Sequence, residues 1–168
     1  MDKPLLKSHG LELYHAKLED TELLGAKLSK ENLREIRELY KSEPDVLLTD
    51  LLSREMSHVV KAQGEVIAIC GVDQNGVLWT MFSREIRKHW RSFVKASPAL
   101  IQFYHNFYPT LYCNVWSENV FVHNWLIHLG FLPDVLLTDA NDNTTIHFVR
   151  CIQDTISVVS ESSRPVMH

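Results

Sequence analysis

Five cations crowd one short stretch of this chain, Arg84, Arg87, Lys88, Arg91 and Lys95, with Glu85 as the nearby acid. At that spacing the cluster is either a contact for phosphate or nucleic acid, or a solvated helix face. The net charge of −4 argues against a protein that coats nucleic acid generally, so nucleic acid is not an expected partner. Nine histidines raise the question of a metal. His123 and His128 lie five apart, about 140° round a helix from one another, and do not converge. No His-Glu-x-x-His or Cys-x-x-Cys pair is present, so no metal site is expected. Asp139 to Asn143 has the oxygens of a calcium loop, but Thr144 stands where the loop's glycine belongs and Arg150 where its last glutamate belongs. A hairpin turn accounts for it. Cys70, Cys113 and Cys151 lie in strand-like apolar runs and read as buried thiols of a reducing compartment.

The elements that would position these groups follow from hydrophobic period and turn residues. Leu11 to Ala16 reads as an opening strand. Two helices should follow: one capped by Ser29 and carrying Leu33, Ile36, Leu39 and Tyr40, the other capped by Asp45 and running to Met56. In the first, Glu31, Arg34, Glu35, Arg37 and Glu38 read as the polar face. A three-strand meander comes next: His58 to Ala62, a tight turn at Gln63-Gly64, Val66 to Val72, a hairpin turn at Asp73 to Gly76, and Val77 to Phe82. A helical region spans about 86–107, with Pro98 either in the first turn of a new helix capped by Ser97 or at a kink. Then come a strand at Leu111, a loop at Ser117-Glu118-Asn119, a helix capped by Asn119 and stopped at Gly130, and a final hairpin of Val135–Leu137 and Ile146–Ile152. At 168 residues, with 45 % hydrophobic and 23 % charged, the chain suits one domain over 1–152, and 153–168 read as a C-terminal tail. This order is α+β, with a central mixed sheet.

The element order, and the segment Asn119 to Phe131 in which an Asn opens a helix that ends in Gly-Phe, resemble the GNAT acetyltransferase superfamily. Within it the match is closest to the phage GNAT-like internal virion protein A branch of short-tailed phages. That resemblance is carried by LWTMF at 78–82, REIRKHWRSF at 84–93 and VWSEN…HNWL…LGF at 115–131. It implies a three-layer fold with a mostly antiparallel sheet flanked by helices, in which two neighbouring parallel strands, Leu78–Phe82 and Leu111–Val115, splay apart to admit acetyl-CoA.

On the same resemblance the pantetheine arm would pair with the first strand and the pyrophosphate would sit on the next helix start, where orphan N–H groups and the helix dipole favour an anion. The implied cofactor residues are Met81, Phe82, Ser83, Arg84, Arg87, Lys88, His89 and Asn119, and the acid–base candidates are Glu85, Ser117 and His123. Two departures stand against catalysis. The superfamily's glycine-bearing pyrophosphate loop is replaced by Ser83-Arg84-Glu85-Ile86-Arg87-Lys88, which has no glycine to shape a backbone nest. Leu126 stands where many members carry a general-acid tyrosine, and leucine cannot protonate a thiolate. The resemblance implies phage structural or host proteins as partners, in the host cytoplasm or the virion. No apolar run reaches the roughly 18 to 20 residues of a membrane span.

Overall fold

A computed structural model describes residues 2–54 and 56–152. The C-terminal tail expected at 153–168 lies outside the described residues. The strands are β1 (Leu6–Ser8), β2 (Leu11–His15), β3 (Met56–Ala62), β4 (Glu65–Val72), β5 (Leu78–Phe82), β6 (Thr110–Trp116), β7 (Leu132–Thr138) and β8 (Thr144–Cys151). The α-helices are α1 (Leu18–Ala26), α2 (Lys30–Glu38), α3 (Pro44–Leu52), α4 (Trp90–His105) and α5 (Val120–His128), and a 3-10 segment over Arg84–His89 leads into α4. The class is α+β, as the element order implies. Five strands form one sheet in the order β1-β2-β3-β4-β5, and three form another in the order β6-β8-β7.

Every named strand pair is antiparallel. Among the described residues the sheets meet through one parallel bridge, Val77 to Tyr112, and the mixed character resides there. Strand alternation divides the core in two. Leu78 and Phe82 join Phe93, Ile101, Val122, Trp125 and Leu126 on the α4–α5 side. Trp79 and Met81 join Leu24, Ile36, Leu48 and Leu51 on the α1–α3 side.

Local signals explain most boundaries. Ser29 accepts from the Asn32 N–H to open α2, and Asn119 accepts from the Val122 N–H to open α5. Gly130, at φ 87°, stops α5. At Asp73–Gly76 the Asp73 carboxylate takes the N–H groups of Asn75 and Val77, and Gly76 alone has positive φ there.

Four expectations need correction. Two elements precede or interrupt the expected order, the strand β1 and the helix α1. Helix α3 is opened by Glu43 with Pro44 in its first turn, so Asp45 is an acid of that turn and not the cap. Met56 begins β3 and does not end α3. Finally, α4 runs unbroken through Pro98, and Ser97 is no cap. Its hydroxyl donates to the Phe93 carbonyl at 2.5 Å and accepts from Trp125 Nε1 at 2.8 Å, tying α4 to α5.

Beneath the five-stranded sheet, His58 Nδ1 shares a 2.9 Å hydrogen bond with the Tyr104 hydroxyl, which also meets Cys70 Sγ at 3.4 Å. Burial, and then the charge of His15, lowers the His58 pKa to about 4.

Candidate functional site

β5 and β6 touch at one end only. Tyr112 N–H donates to the Gly76 carbonyl at 2.9 Å, and beyond the Val77–Tyr112 bridge the strands diverge. The gap holds a cavity of about 260 Å³. Its walls come from α2 (Glu35), α3 (Leu51), β5 (Trp79, Thr80, Met81) and β6 (Cys113, Asn114), and Asn119 stands at the start of α5. The Ser83 N–H bonds to the Ile67 carbonyl across the β4 pair. Antiparallel alternation therefore points the backbone groups of Leu78, Thr80 and Phe82 away from β4, towards the gap.

Glu35 is the one acidic side chain buried in this wall, 7 % exposed. Its only side-chain hydrogen bond is a 3.4 Å contact from Asn119 Nδ2, and no cation pairs with it among the described residues. Burial raises its pKa to about 7, and the Asn119 bond only partly opposes that. Nearby, burial and then the charge of Glu35 push the Cys113 thiol up to about 12, so it stays neutral. Trp79 Nε1 is buried without a partner. The wall thus offers an unpaired carboxyl group and an unused indole N–H. Sequence reading placed Glu35 on the polar face of α2. The signal for burial was its spacing, since Asn32, Glu35 and Ile36 are the buried residues of that helix at i, i+3 and i+4.

No protein-family model matches the chain, and no curated protein sequence matches it. Solved structures do. A GNAT-family acetyltransferase from Bacillus anthracis superimposes with a TM-score of 0.66 over 88 % of this chain and 98 % of its own, at 9 % identity. The chain has the GNAT fold. A spermidine N-acetyltransferase chimera from Vibrio cholerae is similar at TM-score 0.64 and 14 % identity, over 88 % of this chain and 98 % of that one. An aminoglycoside acetyltransferase solved with coenzyme A is similar at TM-score 0.63 and 15 % identity, over 89 % and 99 %.

The resemblance to GNAT acetyltransferases places the acyl carrier along the edge of β5 and the turn after it. Here the chain itself meets the end of that edge, at Phe82, and the turn, while Thr80 still lines the cavity. Leu28 bridges Ser83 in antiparallel fashion. The Phe82 carbonyl accepts from Ser29 N–H at 2.9 Å, and the Phe82 N–H donates to Asn32 Oδ1 at 2.8 Å. Arg84 N–H donates to the Lys27 carbonyl at 2.7 Å, Glu85 N–H to Ser83 Oγ at 3.1 Å, and Ile86 N–H to the Ser83 carbonyl at 3.0 Å. With the Ser83–Ile67 bond, every backbone N–H from Phe82 to Ile86 has an acceptor within the chain. Two of the five cations are engaged as well: Arg87 pairs with Glu31 at 3.2 Å and Lys88 with Glu85 at 2.6 Å.

The expected site residues separate accordingly. Phe82 lies in an aromatic cluster with Phe93, Phe121 and Trp125. Met81 faces the α1–α3 core and the cavity, while Ser83 is fully buried as the cap of the 3-10 turn. Arg84, Arg87 and Lys88 are exposed, and His89 sits at the junction with α4. Asn119 reaches the gap through Glu35. The acid–base candidates Glu85, Ser117 and His123 do not line the cavity. Glu85 pairs with Lys88, and the Ser117 backbone N–H anchors to Thr144. The His123 ring meets Phe148 edge-on, and burial lowers its pKa. Leu126, on α5, is wholly buried in the larger core cluster.

Proposed function

We propose that this GNAT-fold chain works by binding a partner and not by transferring acetyl groups from coenzyme A. One observation carries the reading: the segment Lys27–Asn32 is bonded to Phe82 and Arg84 at the end of β5 and the start of the following turn, where the pantetheine strip would pass to the pyrophosphate. Side-chain cations cannot replace the shaped backbone nest that a pyrophosphate needs, and here the N–H groups of Phe82 to Ile86 already have acceptors. Its setting is phage infection, in the host cytoplasm or packaged in the virion, with phage structural or host proteins as partners. The resemblance of 78–93 and 115–131 to phage internal virion proteins supports that setting. Titration calorimetry with acetyl-CoA and with CoA tests the proposal. No heat of binding is expected at millimolar ligand, and micromolar affinity overturns it.

A second reading, an active N-acetyltransferase acting on a protein or a small amine, is favoured by Glu35. A carboxylate of pKa about 7 in the gap is placed to take a proton from an amine. Release of free CoA thiol in the presence of spermidine or an N-terminal peptide, lost in Glu35→Gln, would establish this reading over the first.

A further inference from the structure

The net charge of −4 conceals a segregation. Residues 84–95 carry five cations against one acid, so the rest of the chain carries −8. A local excess of that kind is the footprint of an anionic partner, and a whole-chain charge does not reveal it. The structure divides the five cations into two groups. Arg84 and Arg87 stand three apart in the 3-10 turn beside α2, where Arg87 meets Glu31. Lys88, Arg91 and Lys95, at i, i+3 and i+7, form a row along the start of α4. All three are exposed, while Phe93, Ala96, Ser97 and Leu100 are buried, so the row projects away from the core. It also turns away from the gap. Trp90 packs on Phe121 of α5 at 4.0 Å, and Arg91 and Lys95 lie about 100° and 140° round the helix from it.

Stability alone would not place cations here. The start of a helix carries partial positive charge, and like charges four apart, as at Arg91 and Lys95, repel. The first turn of α4 holds no acid, and His89 opens it without a side-chain hydrogen bond. Among the described residues neither Arg91 nor Lys95 has an ion-pair partner. The acids near the cluster are Glu31, Glu85 and Glu65, the last acting on Lys88 through its charge. Glu85 is outnumbered: its bond to Lys88, and then the charges of Lys88, Lys27 and Arg84, hold its carboxyl below the usual pKa.

We propose that the row Lys88–Arg91–Lys95 is a contact for the phosphate backbone of double-stranded nucleic acid. Its surroundings select this occupant. Among the described residues no large apolar side chain between 47 and 106 is exposed, so the row lacks the anchor that protein partners and membrane surfaces use. Single strands are held by stacking, but Trp90 is already packed against Phe93 and Phe121. A duplex needs only charge. It presents one phosphate per roughly 1.7 Å of axis, on the order of six over the roughly 10 Å that the row spans. An extended acidic polypeptide offers at most one charge per about 3.4 Å. The contact positions the chain on a duplex without reading sequence, and it holds whether or not the gap takes a cofactor.

Fluorescence anisotropy of a labelled duplex of about 20 base pairs and arbitrary sequence, titrated with the full chain from about 25 to 200 mM salt, tests this. Affinity should be micromolar at the lowest salt and fall with a log–log slope of about −3, near one unit per cation. Arg91→Glu combined with Lys95→Glu should weaken binding about thirtyfold or more and cut the slope to about −1. Its melting temperature should be unchanged or raised, since both cations leave the positive end of α4. Arg37→Glu combined with Lys41→Glu makes the same change in net charge at exposed positions by the far end of α2, and should alter affinity by less than about threefold. No binding at about 100 µM chain, or an equal loss in both double variants, overturns the proposal. So does tighter binding of the single strand, or poly-glutamate binding as well as the duplex; in the last case the partner is an acidic protein segment.

Discussion

Replacing Glu35 with glutamine should change how stability depends on pH more than how the fold looks. The carboxyl is buried in the native state with a pKa of about 7 and returns to its ordinary 4.5 on unfolding. Between those values the native state holds the proton that the unfolded chain has released, so stability falls as pH rises from 4.5 to 7. At about 1.4 kcal/mol per pH unit the loss is about 3 kcal/mol, complete above pH 7. Glutamine cannot ionise and escapes it. Glu35→Gln should therefore match the parent near pH 4.5 and exceed it by up to about 3 kcal/mol at pH 8, roughly 6–12 °C in Tm for a domain of this size.

His58 works in the opposite sense. Its native pKa of about 4 lies below its unfolded 6.5, so stability grows as pH rises across that window, also by about 3 kcal/mol. In the parent the two slopes largely cancel between pH 4.5 and 6.5, and Glu35→Gln should uncover the rising limb of His58. Urea unfolding at half-unit steps from pH 4 to 8 measures both. If parent and Glu35→Gln run parallel over the whole range, Glu35 is not buried as described.

Substitutions at three further positions probe the gap and its surroundings. Leu126→Tyr, which restores the tyrosine of the superfamily pattern, should overpack a site with no exposure and lower stability by about 1–3 kcal/mol without yielding acetyl transfer; calorimetric Tm and a thiol-release assay report the two halves. Gly71→Ala should be severely destabilising, by about 3 kcal/mol or more. Its Cβ would fall 2.0 Å from the Met56 carbonyl oxygen and 2.6 Å from Trp79 Cζ2, so soluble yield and Tm should both drop. Asn32→Ala leaves the Phe82 N–H without its acceptor and should cost about 1–3 kcal/mol, whereas Asn32→Asp, which keeps an oxygen there, should cost less in a thermal-melt comparison.

Much of the frame was legible because its signals are local. Ser29, Asn119, Gly130 and the Asp73–Gly76 turn act within a few residues of themselves, and each does what its type and position imply. Helix α1 was not legible for an equally physical reason. Its N-cap is Lys17, and Leu18 and Leu23 are exposed while Leu24 is buried, so it has neither a usual cap residue nor a clean stripe. The site was harder still. The bonds at the end of the β5 edge join residues 27–32 to 82–84, about fifty positions apart, and no periodicity encodes that meeting. Glu35 lay hidden among the charges of α2, where composition suggested solvent and only its phase with Ile36 suggested burial.

The segment bonded to the β5 edge also changes the terms on which any newcomer would have to enter. Lys27–Ser29 joins α1 to α2 and Asn32 lies in the first turn of α2, so the segment competes as a tethered occupant whose effective concentration is millimolar or higher however dilute the protein is. A free carrier at micromolar concentration would face at least a thousandfold deficit before any of its own contacts counted. Mutations that weakened the strip by a single hydrogen bond would recover only about tenfold of it.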